Sequence, residues 1–283
     1  MTHIYRSKSG QDLVETWCEA QFANWAVPHE RHTISTNLGD SHLTIAGDGP
    51  ITAVYVPGTN FNTAANLNEI SHLTPHFRVV AVDVPGQPGL SSAQRPGGDR
   101  IATLGGWLDQ VIDQLEGPVT VVGHSMGAAV VLATRSDQIN GRVVFSPAGM
   151  IRMRVPPGIL LSTMSWLTRS TTSSSHKLLS HMCAPGAEPT KLQTEWITLV
   201  GQTTRSSLAP PKFHESQLAE LSGTRISLAS GRHDRFLPPH LISRRSTKLF
   251  NVETTTLNGG HLCDQEALDY LVREIQGINQ LDA

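Results

Sequence analysis

Charge and cysteine are both scarce in this chain. Only 16% of its 283 residues are Asp, Glu, Lys or Arg, and the formal net charge is -2. That balance gives no electrostatic reason to expect nucleic acid or an anionic membrane as a partner. The three cysteines, Cys18, Cys183 and Cys263, stand far apart with no C-x-x-C spacing. An odd count so dispersed argues against a disulfide framework and against a zinc site. His72 and His76 are four residues apart, but Pro75 interrupts any helix that would align them. No metal and no organic cofactor are therefore expected. The first residues, Met1 to Lys8, carry no apolar run after their charges, so no signal peptide is expected. The apolar stretches fall far short of a membrane span. The expectation is a protein of the reduced cytoplasm.

What is present is enough apolar residue, 39%, to bury one large core. Gln11 to Ala26 places Leu13, Val14, Trp17, Phe22 and Trp25 at the spacing of an amphipathic helix, stopped by Val27-Pro28. A hairpin is expected near His32–Asn37 and His42–Ala46, turning at Gly39-Asp40. Strands then alternate with helices: Ile51–Val56, helix Asn62–Leu73, Phe77–Val82, helix Ile101–Leu115, Val119–Val122 and Arg142–Phe145. Uniformly apolar strands in this rhythm indicate an α/β fold with a mostly parallel sheet covered on both faces.

The rhythm breaks after Gly149. Residues 150–222 are rich in Ser, Thr, Met and Trp and read as an inserted helical cap, with Thr171–Ser175 as a loop. The core is then 1–149 with 223–283, where strands recur at Thr224–Ala229 and Lys248–Leu257 before a final helix at Gln265–Ile275.

One pentapeptide carries the chemistry. Gly123-His124-Ser125-Met126-Gly127 follows an apolar strand and precedes an apolar helix. A G-x-S-x-G turn in that setting is the nucleophile elbow of a serine hydrolase, with glycines where side chains would collide with strand or helix. A serine hydroxyl needs a base, and the base needs an anion to orient it. Asp234 follows the strand ending near Ser230, and His261 follows the strand ending at Leu257. The order Ser125, Asp234, His261 places all three just past the carboxyl ends of parallel strands, where ligand-binding loops gather. Asp83 reads as a structural carboxylate holding its loop, His124 as a packing residue, His233 as structural or at the pocket edge, and Cys263 as inert.

Four motifs together resemble the α/β-hydrolase fold of the lipase/esterase, carboxylesterase-like type. They are Val56-Pro57-Gly58-Thr59-Asn60 in the place of the family's oxyanion loop, Asp83 to Ser91 resembling D-x-P-G-x-G-x-S with one extra residue, the elbow, and the Gly259-Gly260-His261 loop. Tyr5, Ser7, Gly10 and the Trp25–Glu30 segment also resemble the leader of some bacterial carboxylesterase-like members. The resemblance implies Ser125 as nucleophile, His261 as general base and Asp234 as its orienting acid. It implies an oxyanion hole from the backbone N–H of Met126 and of Thr59, with Asn60 as the alternative. Met150, Met153, Met164, Trp166 and Trp196 line an acyl pocket in this reading, or form the cap's own core in the other. The implied reaction is hydrolysis of a small or medium carboxylic ester. A thioesterase, a lactonase or a carbon–carbon bond hydrolase uses the same three residues, and a receptor-like binder with negligible turnover uses the same fold.

Overall fold

The computed structural model describes residues 1–206 and 209–280. A short strand β1 (Thr2–His3) precedes helix α1 (Lys8–Ala23), the hairpin β2 (His29–Thr36) and β3 (Gly39–Ala46), and β4 (Thr52–Val56). A 3-10 turn (Ala64–Asn66) leads into α2 (Leu67–Leu73), then β5 (Arg78–Val82) and the short β6 (Gln94–Arg95). Next come α3 (Arg100–Ile112), β7 (Val119–His124), α4 (Met126–Ala133) and β8 (Ile139–Phe145). Helices α5 (Pro157–Arg169), α6 (Thr172–Ser180), α7 (Lys191–Thr203) and α8 (Glu215–Ala219) lie between β8 and β9 (Ile226–Gly231). Helix α9 (Pro239–Phe250), β10 (Thr254–Leu257) and α10 (Gln265–Gln280) follow.

The main sheet has the order β10-β9-β8-β7-β4-β5-β3-β2, while β1 and β6 form a separate ribbon. Strands β10 through β5 pair in parallel; β3 and β2 are antiparallel at one edge. Alternation along each strand feeds two cores. Ala53 and Tyr55 of β4 join one cluster with α1, α2 and α10; Val54 and Val56 join the other with α3, α4 and α9. Burial on both faces is what the near-continuous apolar strands require. Helix α4 is apolar all round and almost wholly buried, as a central helix must be.

The chain leaves β4 toward β5 on one side and returns to β7 on the other. The loops after β4 and β7 therefore diverge, and a crevice opens between them at the carboxyl edge. That crevice positions the candidate site.

Several boundaries differ from the sequence reading. Helix α1 begins at Lys8 because Ser7 caps it, accepting from the Gly10 amide at 3.1 Å, and it stops at Ala23, ahead of Val27-Pro28. The hairpin turns at Asn37-Leu38; Gly39, with φ of +92°, already pairs with Thr36. Thr171–Ser175 is no loop: Thr171 and Ser174 form a reciprocal capping box that starts α6. Lys248 belongs to a helix, with Ile242, Arg245, Ser246 and Phe250 on its buried face, and only Thr254–Leu257 is strand.

Candidate active site

The elbow is built by close approach. A β-carbon on Gly127 would lie 2.0 Å from the Val56 carbonyl oxygen, and one on Gly123 would lie 2.6 Å from Ala128. Nothing larger than glycine fits at either position. Ser125 between them holds φ 53° and ψ -113°, a backbone cost of order 1–3 kcal/mol for a residue with a side chain. Its amide donates to the Phe145 carbonyl at 3.1 Å, and its carbonyl accepts from Ala148 at 3.1 Å. The strained residue is thus tied to β8 and to the segment beyond it.

The loops bearing Asp234 and His261 are joined to each other before they reach Ser125. Arg232 N–H donates to Leu257 O at 2.7 Å, and His233 N–H to Gly259 O at 2.9 Å. His261 Nδ1 then lies 2.8 Å from Asp234 Oδ2, and His261 Nε2 lies 3.0 Å from Ser125 Oγ. The second Asp234 oxygen accepts from the Phe236 and Leu237 amides at 2.8 and 2.9 Å. Burial pushes the Asp234 carboxyl up, but the facing imidazole and these hydrogen bonds outweigh it and hold the group below its ordinary value. A carboxylate so held keeps the imidazole proton on Nδ1, leaving Nε2 to accept the serine hydroxyl.

The loop after β4 runs beside the elbow. A β-carbon on Gly58 would stand 3.4 Å from Ser125 Cβ. The Asn60 amide donates to Gln87 Oε1 at 2.9 Å, and the Asn60 carbonyl accepts from the Trp196 indole at 2.7 Å. Both Asn60 backbone groups are thereby committed, with φ held at +62°. The Thr59 amide has no acceptor among the described residues. At the other wall, Met126 opens α4, so its N–H has no intrahelical acceptor.

Beside Ser125 is a mainly apolar cavity of about 180 Å³. Met153 and Trp166 line it, as the pocket reading expects, together with Leu179, Met182 and Phe236. Met150, Met164 and Trp196 do not, and Met164 faces outward, half exposed. Met150 is fully buried in the core with Ile159 and Phe213, and Trp196 is fully buried with its ring 4.7 Å from that of Trp17. Trp196 reaches the site through its hydrogen bond to the Asn60 carbonyl.

Three further residues bear on the site. His124 Nε2 donates to the His261 carbonyl at 2.7 Å while its ring stacks on Phe145. Burial, with a smaller push from the His261 ring, brings the His124 imidazole down to about 4, so it is neutral near pH 7. Met182 O accepts from the His261 amide at 2.6 Å. Gln87 stands in the stretch where the Asp83–Ser91 motif carries its extra residue, the one sequence signal that marked it. Asp83 holds two loops at once, accepting from Thr63 N and Leu90 N at 2.8 Å each. Burial pushes the Cys263 thiol well above its ordinary value, which keeps it protonated. Among the described residues no cluster of His, Cys, Asp or Glu could hold a metal, and no helix is long and apolar enough to cross a membrane.

The fold has counterparts among solved structures. Carboxylesterase CesB (YbfK) from Bacillus subtilis superposes with a TM-score of 0.76 at 17% identity, covering 96% of this chain and 98% of that one. Naproxen esterase (carboxylesterase NP) from Bacillus subtilis gives 0.76 at 18% identity, covering 97% and 99%. At these identities the likeness is one of fold. By sequence, Protein NDRG2 of Danio rerio is 27% identical over 172 residues, 54% of this chain and 44% of its own length. The chain spans about half the length of the curated relatives it matches. The family model described as "Alpha/beta hydrolase family" matches residues 53–274, from β4 through the elbow and both partner loops into α10. With most of the sequence inside that match, the chain belongs to the alpha/beta hydrolase family.

Proposed function

We propose that this protein is a serine hydrolase that cleaves a small carboxylic ester through an acyl-enzyme. The observation that carries this reading is the unbroken line from Asp234 Oδ2 through His261 to Ser125 Oγ, 2.8 and 3.0 Å long. Ser125 Oγ attacks the acyl carbon as its proton passes to His261 Nε2. The tetrahedral adduct expels the alcohol, which takes that proton. Water then attacks the acyl-enzyme, gives a proton to His261, and releases the acid as Ser125 recovers its own.

The amides of Met126 and Thr59 are the donors we assign to the oxyanion. Asn60, the alternative, is set aside because its N–H already has an acceptor. Each preorganised donor contributes about 3 kcal/mol to the transition state. We read residues 150–222 as a cap, since Met153, Trp166 and Leu179 from this segment wall the cavity over Ser125. A volume of about 180 Å³ is below the span of roughly 300–1,000 Å³ typical of drug-sized ligands, which favours short acyl groups.

The test is a series of p-nitrophenyl esters from acetate to palmitate, with thioesters and lactones alongside. The expected result is fastest turnover on short acyl esters, lost in Ser125→Ala. Faster turnover of a thioester or lactone reassigns the bond; no turnover of any of them by folded protein contradicts the reading.

A further inference from the structure

Helix α5 presents two unlike faces. Ile159, Ser162 and Trp166 are buried, and the Trp166 indole donates to Ile197 O at 2.9 Å. The opposite face shows Leu160 at 51%, Leu161 at 72% and Met164 at 51% exposed, with Leu167 beside them and Val155 just ahead of the helix. At 100° per residue, positions 160, 161, 164 and 167 fall within one sector directly across from the buried one. Of the large apolar residues exposed among the described residues, only Met1 and Leu13 lie elsewhere.

Along this stretch of the chain the charge is of one sign. Between Asp137 and Glu188 the chain carries no Asp or Glu, but it carries Arg142, Arg152, Arg154, Arg169 and Lys177. Arg142 is buried in the core; Arg152, Arg154 and Arg169 are exposed and flank the stripe at both ends of α5. A second copy of the chain fits such a face poorly. A two-fold contact sets a patch against itself, so these arginines would meet their own images without a carboxylate from this segment between them. An anionic bilayer matches both features, taking apolar side chains at the headgroup boundary and attracting the flanking arginines.

We propose that the outer face of α5 docks on anionic lipid surfaces, with the helix lying in the interface and not crossing it. The even charge of the whole chain conceals this local bias. The same helix lends Thr163 and Trp166 to the cavity beside Ser125, so docking sets that cavity next to the lipid. The proposal does not depend on ester hydrolysis, and Ser125→Ala is expected to dock like the wild type.

The experiment is co-sedimentation of the full chain with vesicles of phosphatidylglycerol and phosphatidylcholine, and with phosphatidylcholine alone, at low and high salt. The expected result is at least tenfold stronger binding to the anionic vesicles, weakened by salt. Leu161→Glu/Met164→Glu should lose at least tenfold of that binding while keeping the wild-type far-UV circular dichroism and thermal melt. Arg152→Gln/Arg154→Gln should bind more weakly and with less salt dependence. Three results overturn the proposal: wild type left in the supernatant, the Leu161/Met164 variant binding as wild type does, or sedimentation velocity showing a dimer that this variant abolishes.

Discussion

The carbonyl oxygen of Met182 accepts the backbone amide of His261 at 2.6 Å and that of Leu262 at 3.1 Å. A residue from the segment between β8 and β9 thus fixes the loop that carries the proposed base. Gly260 permits the approach, since a β-carbon there would lie 2.2 Å from Met182 O. Gly260→Ala is expected to part the two segments and displace the imidazole. The outcome should be a kcat at least tenfold lower on a short p-nitrophenyl ester, because small misplacement of a catalytic group is costly. Unchanged kcat would show that this contact does not position His261.

Asp234→Asn should lower kcat by about 10²- to 10⁴-fold with KM less affected. An amide can offer its N–H to Nδ1, which moves the imidazole proton to Nε2 and removes the acceptor for Ser125. The wild-type carboxyl is held below its ordinary value, so its contribution to stability is present at neutral pH. That contribution is lost only as pH falls through its folded value. Steady-state kinetics with a thermal melt at pH 7 separates the two effects, and near-wild-type kcat would show that another group orients His261.

Gln87→Leu removes the acceptor of the Asn60 amide, which sits at a left-handed φ beside the elbow. A buried donor left unpaired costs about 1–3 kcal/mol. The loop is expected to shift so that the Thr59 amide no longer faces the proposed oxyanion site. The signature is a fall of about tenfold in kcat with KM nearly unchanged, since a transition-state contact is lost.

Glu69 is buried on α2 and has no cationic partner among the described residues. Burial pushes its carboxyl up from 4.5 to about 7. Between those values the folded chain binds the proton and the unfolded chain does not. Stability therefore falls as pH rises from 4.5 to about 7 and stays lower above, by up to about 3 kcal/mol. Glu69→Gln should raise Tm by several degrees at pH 8 and by little at pH 4.5. Equal shifts at both pH values would contradict this account.

The fold was legible where apolar strands meet glycine turns. The strand before Gly123, the elbow and the loops to Asp234 and His261 are local patterns whose geometry follows from the residues themselves. Helix α9 was harder to read: its buried face includes Arg245 and Ser246, so its period is not apolar. Helix α6 begins in a run of Ser and Thr that resembles a loop until Thr171 and Ser174 cap each other. In the site, Ser125, Asp234 and His261 could be named from chain order, and the structure brings their side chains together. Met182, Gln87 and the tether from His124 could not, because each acts on a backbone group far off in sequence. The pocket reading erred at Met150 and Trp196 because large apolar residues fill cores and cavities alike, and only tertiary packing separates the two.

On the proposed reading, Ser125 is a nucleophile made reactive by His261. Treatment of the folded protein with a fluorophosphonate, followed by intact mass and peptide mapping, probes that reactivity at the hydroxyl itself. One adduct per chain on Ser125, absent in Ser125→Ala and formed far more slowly in His261→Ala, is the predicted result. A folded wild-type chain that takes no adduct, or an adduct that persists in Ser125→Ala, would contradict it.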